Sequence, residues 1–261
     1  SIGFAPRVSF GMGIYSFARF SLTREFTHSD VNTYKDEVAL SDLKLGLGYG
    51  GFAWKGARVS GNLAFLAPTS KYSRARTMIM GINPTLVLSY TKKEWKNLSL
   101  SLSGSATRFL HEYTTAERET PLFTNCLGGI SECGSFLNMG RRNPKLRGAL
   151  FLAGSVQPLS WLGLSVSGGA MVDQLYPASD DDRVSFETLE PTDRRYSMAY
   201  EFELTVTPIK SLELGLGMST VSPQLAPDST FETPFINRYS TIFFDVRYIA
   251  VAPARATSSK E

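Results

Sequence analysis

The amino-acid sequence predicts an all-β fold, a closed antiparallel up-and-down barrel that crosses a membrane with its strands, about ten of them with twelve as the alternative count. Three observations predict it. Apolar residues recur with period two along nearly the whole chain, while helical periodicity is almost absent. The connections between apolar segments alternate between short and long. The side of each strand opposite the apolar residues is small, built largely from Gly and Ser. The stretch NLSLSLSGSATRF, from Asn97 to Phe109, shows the pattern: Leu98, Leu100 and Leu102 fall on one parity, and Ser99, Ser101, Ser103 and Ser105 on the other. Side chains of a strand alternate between two faces, so a ridge of leucine backs onto a row of hydroxyls.

Taken in order, the apolar parity reads Val8, Phe10, Met12 and Ile14 in the first strand, Leu43, Leu45, Leu47 and Tyr49 in the second, and Val59, Leu63 and Phe65 in the third. The fourth carries Met78, Met80, Ile82, Leu86, Leu88 and Tyr90, with Pro84 implying a bulge or local break. The leucine-serine stretch is the fifth. KLRGALFLAGSV, the sixth, commits to neither parity. Leu162, Leu164, Val166, Ala170 and Val172 mark the seventh; Met198, Tyr200, Phe202, Leu204 and Val206 the eighth; Leu212, Leu214, Leu216 and Met218 the ninth; and Ile242, Phe244, Val246 and Tyr248 the last. Lengths near ten residues suit a tilted spanning strand.

WKGA, KKEWK, QPLSW and PIKS are the short links. The long polar ones are FARFSLTREFTHSDVNTYKDEV, PTSKYSRAR, the segment around the cysteines, PASDDDRVSFETLEPTDR and SPQLAPDSTFETPFINR. Tight turns thus gather at one end of the strands and elaborate loops at the other. Trp54, Trp95 and Trp161 all fall in or beside short links, and with Tyr90 and Tyr248 they would form an aromatic girdle at a membrane interface. A narrow closed barrel needs small or interlocking side chains inside, so the Gly and Ser parity is expected to face inward and the leucines outward to lipid. A soluble sandwich or lipocalin-type barrel would turn this inside out and leave a Gly and Ser surface.

Charge and hydropathy agree. The chain of 261 residues intersperses 27 basic with 24 acidic side chains, which leaves no nucleic-acid footprint. No apolar run approaches the roughly 20 residues of a spanning helix, and alternating strands average to neutral hydropathy. Over essentially its whole length the sequence resembles the bacterial outer-membrane β-barrel class. STIFFDVRYIA is similar to the alternating, aromatic-ending last strand of such proteins, although the tail VAPARATSSKE follows it. The resemblance implies one barrel domain over 1–250, a flexible periplasmic tail over 251–261, periplasmic turns, extracellular loops and both termini on the periplasmic side. It implies outer-membrane lipid, including lipopolysaccharide, as a partner, with protein partners at loops or turns.

Candidate sites follow from these assignments. Cys126 and Cys133, in NCLGGISECG, are too few for a tetrahedral zinc site and favour a short-loop disulfide in an oxidising compartment. Inward charges are assigned to Asp42, Lys44, Arg58, Arg147, Glu201, Glu203, Glu213, Asp245 and Arg247; they form either a plug of salt bridges or a selectivity region in which the glutamates favour cations. Lys71, Arg74 and Arg76 form a basic cluster suited to phosphorylated head groups. Asp180, Asp181 and Asp182, with Glu187 and Glu190, lack calcium-loop spacing and read as a solvated turn. The two histidines, His28 and His111, do not match the acidic and Asp/His pairs of omptin-type proteases, and no serine triad is signalled. The expectation is a non-enzymatic barrel without cofactor or metal that presents its loops to partners, or a narrow passive channel for ions or small polar solutes. A hydrolase at the loop rim is the third reading.

Overall fold

The structure is a computed structural model that describes residues 2–24, 37–92, 94–119, 125–126, 133–134, 136–177, 192–209, 211–222, 230, 232–233, 235–237 and 240–248. Its elements in chain order are β1 (Ile2–Phe4), β2 (Arg7–Gly11), β3 (Ile14–Arg24), β4 (Val38–Leu40), β5 (Leu43–Trp54), β6 (Ala57–Ala67), α1 (Lys71–Ala75), β7 (Met78–Lys92), β8 (Leu98–His111), β9 (Thr115–Glu119), β10 (Asn125–Cys126), β11 (Cys133–Gly134), β12 (Phe136–Arg142), β13 (Pro144–Leu159), β14 (Leu162–Leu175), β15 (Arg194–Ile209), β16 (Leu212–Ser222) and β17 (Thr241–Tyr248). Among the described residues α1 is the single helix, and none is long and apolar enough to cross a membrane.

The all-β, antiparallel, up-and-down architecture is as predicted. Thirteen strands form one sheet in the order β1-β3-β5-β6-β7-β8-β13-β14-β15-β16-β17, with β2 and β4 also paired to β3; β9 with β12 and β10 with β11 form two small ribbons. The order is linear and does not close into a ring. Two pairs of strands lie end to end along β3. β1 and β2 keep one register against it, Phe4 opposite Phe20 and Arg7 opposite Phe17, interrupted at Pro6, which has no N–H for the ladder. β4 and β5 also share it, with Leu22 opposite Leu40 and Arg19 opposite Lys44. The thirteen strands therefore make eleven traverses.

The N-terminal strand assignment is corrected. Val8 to Ile14 is not one strand, because the chain turns at Met12 and Gly13, both at positive φ, 48° and 79°. Two such residues make the hairpin turn whose twist matches the flanking strands. Alternation of apolar residues continued through the turn and concealed it. Phe17 to Arg24, assigned to the first long connection, belongs to β3. With eleven traverses, an odd number, Ile2 enters the sheet at the end of the long connections instead of the turn end.

By contact density the chain divides into two compact units, Ser1–Leu88 with Ser103–Leu150 and Ala170–Tyr196, and Ser89–Leu102 with Phe151–Gly169 and Ser197–Glu261. The division cuts within β7, β8, β13, β14 and β15.

Burial is inverted relative to a water-soluble protein. Apolar side chains predicted to share a face are exposed on strand after strand: Leu47 59%, Leu86 61%, Leu216 53% and Phe244 65%. The buried apolar set among the described residues is Ala64, Met78, Ala116 and Leu175, whereas Asn83, Thr107, Arg142, Asn143, Asp173 and Glu203 are all buried. The Gly parity is not a bare lining, however. A Cβ on Gly46 would sit 2.7 Å from the Phe17 ring, and one on Gly48 would enter the ring of Tyr15, its cross-strand partner. In the second unit Gly217 likewise makes room for its partner Phe243. The glycines are gaps that neighbouring rings fill.

Candidate functional site

The first unit concentrates its polar organisation at the bases of the long connections. Ser70 caps α1, its hydroxyl accepting from the Ser73 N–H. Asp42, just before β5, accepts from the Ser70 N–H at 3.0 Å and from the Ser73 hydroxyl, so this predicted lumen residue anchors a loop. Thr69 bridges the same strand entry, accepting from the Leu43 N–H and donating to the Ser41 carbonyl.

Asn143 is the centre of this organisation. It is fully buried, and its amide nitrogen lies 2.9, 2.9 and 3.0 Å from the carbonyl oxygens of Arg76, Tyr113 and Thr115. Its backbone N–H donates to Thr114 and its carbonyl accepts from the Tyr176 N–H. One residue thus ties the exit of α1, the exit of β8 and the exit of β14. Beside it the buried Arg142 donates to Asp193 at 2.8 Å and to the carbonyls of Thr192 and Tyr176, joining the two sides of the connection after β14.

Further along the same face, Arg147 makes a bidentate pair with Asp173, at 2.6 and 2.8 Å, and Arg195 stands 4.0 Å from the same carboxylate. Asn83 donates to Thr107 at 2.6 Å. Arg147, Asn83 and Thr107 border a cavity of about 240 Å³ that Asp42, Lys44, Ser73, Arg76 and His111 also line. The His111 ring packs edge-on against Tyr176, and its buried Nδ1 has no hydrogen-bond partner. Asp42 is committed to Ser70 and Ser73. A triad would need a carboxylate on that imidazole nitrogen, and none of the described residues places one there.

The second unit gathers Glu203, Glu213 and Asp245 around one guanidinium. Arg247 donates to them at 2.7, 2.7 and 3.0 Å. Register sets Arg247 opposite Glu213 and Asp245 opposite Gly215, and Glu203, opposite Gly217 on the other side of β16, reaches the guanidinium over Gly215, where a Cβ would block it. Glu201, predicted to stand with them, is exposed and outside this cluster. Arg58 is exposed beside the bulge at Gly51 in the first unit.

Trp54, Trp95, Trp161, Tyr90 and Tyr248 are all exposed, the tryptophans at or next to tight turns, with Lys55 over Trp54 at 5.1 Å and Lys92 over Trp95 at 4.3 Å. The three basic residues of the second long connection diverge. Lys71 pairs with Glu37 at 2.7 Å, Arg76 lies 4.1 Å over the Tyr72 ring, and Arg74 is exposed. Cys126 and Cys133 are direct cross-strand partners on β10 and β11. His28, the acidic run Asp180, Asp181 and Asp182 with Glu187 and Glu190, and the tail over 251–261 lie outside the described residues. Among the described residues no cluster of three or more His, Cys, Asp or Glu is placed to hold a metal ion.

No protein-family model matches the chain, and no curated protein matches it. The site is therefore read from its own chemistry. Asn143, Arg142, Asp173, Arg7 and Arg19 were absent from the sequence reading. Asp173 was reachable, since it continues the parity of Ser165, Ser167 and Gly169; Arg19 was hidden in a segment assigned to a loop, and nothing local distinguishes Asn143.

Proposed function

We propose that this chain is a non-enzymatic bacterial outer-membrane β-barrel that anchors in lipid and presents its long connections, braced by a Cys126–Cys133 disulfide, for interaction or as a subunit of an envelope assembly. The inverted burial carries the reading. A sheet that exposes leucine, phenylalanine and isoleucine on one face and hides asparagine, aspartate and arginine suits an apolar solvent outside, where apolar exposure has no cost and polar groups must be satisfied within. Closure of the sheet into a barrel follows, because lipid tolerates no open edge. An even strand number needs one traverse beyond the eleven, and twelve is the proposed count.

The tight turns, with their exposed tryptophans and neighbouring lysines, are the periplasmic rim, and the long connections are extracellular. Clamping by Asn143, Arg142 and Asp42 supports presentation, since loops held at their bases lose less entropy when they bind. Arg74 is the member of the basic cluster turned to solvent and the one proposed to meet lipopolysaccharide head groups. Cross-strand partners have Cα atoms about 4.5–5.5 Å apart, within the range a disulfide spans.

The test is heat-dependent gel mobility of protein refolded into detergent, with solubility measured after detergent removal. A compact fast-migrating form that unfolds on boiling is expected. A monomer that stays folded and soluble in plain buffer would refute the membrane reading. A narrow channel is the second reading, favoured by two polar cavities of about 280 and 240 Å³ that share Lys44 as a lining residue. Single-channel conductance in a planar bilayer, with Glu201→Gln/Glu203→Gln alongside, distinguishes it, and absence of conductance in inserted protein leaves the scaffold.

A further inference from the structure

Among the described residues of the first unit, three cations gather on one face with no carboxylate beside them. Arg19 on β3 and Lys44 on β5 are direct cross-strand partners. Arg7 on β2 stands opposite Phe17, two residues from Arg19, with its guanidinium 3.5 Å from the centroid of the Tyr15 ring. Together with Tyr15, Asn62 and Thr85 these cations line a cavity of about 280 Å³ that has no carboxylate among its lining residues. Among the described residues neither Arg19 nor Lys44 has a carboxylate partner.

Other cations of the molecule do have carboxylate partners. Arg142 has Asp193, Arg147 has Asp173, Arg247 has Glu203 and Glu213, and Lys71 has Glu37, all within 2.8 Å. Like charges directly opposite on neighbouring strands destabilise a sheet, and a half-buried unpaired ammonium adds to that cost. A negatively charged occupant removes both penalties. Guanidinium groups present planar forks that fit carboxylate and phosphate oxygens, the ammonium adds a point charge, and the Asn62 amide brings a neutral donor to the same space. The cavity is small, so the occupant is a phosphate or a short carboxylate.

We propose that this cavity binds a small oxyanion, a phosphate or carboxylate group, held by Arg19 and Lys44 with Arg7 at its rim. The proposal is independent of the membrane reading, because it needs only the polar face of the first unit.

The experiment uses the full chain in uncharged detergent micelles, titrated with inorganic phosphate and with succinate at constant ionic strength, following heat of binding and thermal unfolding. Saturable binding with a raised unfolding midpoint is expected, weakened at least tenfold in Arg19→Gln/Lys44→Gln and unchanged in Arg194→Gln, at an exposed arginine away from the cavity. Absence of saturable binding to either anion, or binding in the double variant within twofold of the unmodified chain, overturns the proposal. Should the double variant not fold, Lys44→Gln alone serves. Its unfolding midpoint without anion is expected to equal or exceed that of the unmodified chain, with the anion response lost. A retained response refutes the assignment. Where free phosphate binds, micelles containing phosphatidylglycerol separate the sources: a midpoint that the lipid raises further assigns the oxyanion to a head group, and one that it leaves unchanged assigns it to a free anion.

Discussion

Replacing Asn143 by alanine removes the one side chain that touches three connections at once. Its amide carries two hydrogens shared among three buried carbonyl oxygens, those of Arg76, Tyr113 and Thr115. At a net worth of about 1 kcal/mol per bond, with a further penalty for carbonyls left unsatisfied where water does not reach, the loss is about 2–4 kcal/mol. The backbone bonds to Thr114 and Tyr176 survive the substitution, so the damage should be local as well as global. Urea unfolding in micelles reads the global part. Hydrogen exchange at 76–77, 113–116 and 176–177 reads the local part, with protection expected to fall in all three segments together. Gln157→Ala, which removes solvent-exposed bonds to Asn97 and Ser160, is the control and should cost about 0.5 kcal/mol or less. If Asn143→Ala matches that control in both readouts, the three connections are not held through this residue.

Other outcomes follow from the same geometry. Gly48→Val drives a branched side chain into the Tyr15 ring and should destabilise by about 1–3 kcal/mol, with substantial recovery in Gly48→Val/Tyr15→Ala, as measured by unfolding of the double-mutant cycle. Arg247→Gln strips three carboxylates of their common cation; because the guanidinium is half exposed, the cost should be about 1–2 kcal/mol, below the range for fully buried pairs. Thiol alkylation of denatured, unreduced protein should label neither Cys126 nor Cys133, and breaking their bond should loosen the short loop between them by about 2–3 kcal/mol.

How far the sequence was legible depends on what signal each feature left. Strands such as β8 and β16 announce themselves, because a residue every second position on an apolar face has no other periodic reading. Turns with Gly and a tryptophan nearby, such as Trp54 to Ala57, were equally plain. The hairpin at Met12 and Gly13 was not, since Met12 preserves the alternation while the backbone reverses. Among candidate residues, Glu203, Glu213, Asp245 and Arg247 were chosen by parity alone and do converge. Glu201 shares that parity and stands apart, because register and not parity decides who reaches whom. Asn143 and Arg142 lie in a long polar segment in which their neighbours look alike; their importance comes from contacts across about 30 to 50 residues of chain, which no local pattern encodes.

The inverted burial also bears on how such a chain can come to be folded at all. Collapse in water is driven by hiding apolar surface, and this chain in its final form hides very little of it. Its carboxamides, carboxylates and guanidiniums meet one another only once the strands are aligned, so an isolated hairpin in water gains almost nothing by forming. With lipid as the outer solvent the balance reverses: each backbone bond becomes obligatory and the leucines are already content. If the proposed membrane reading holds, folding and insertion become one event, and the apolar ridges exposed before it would need to be shielded until it occurs.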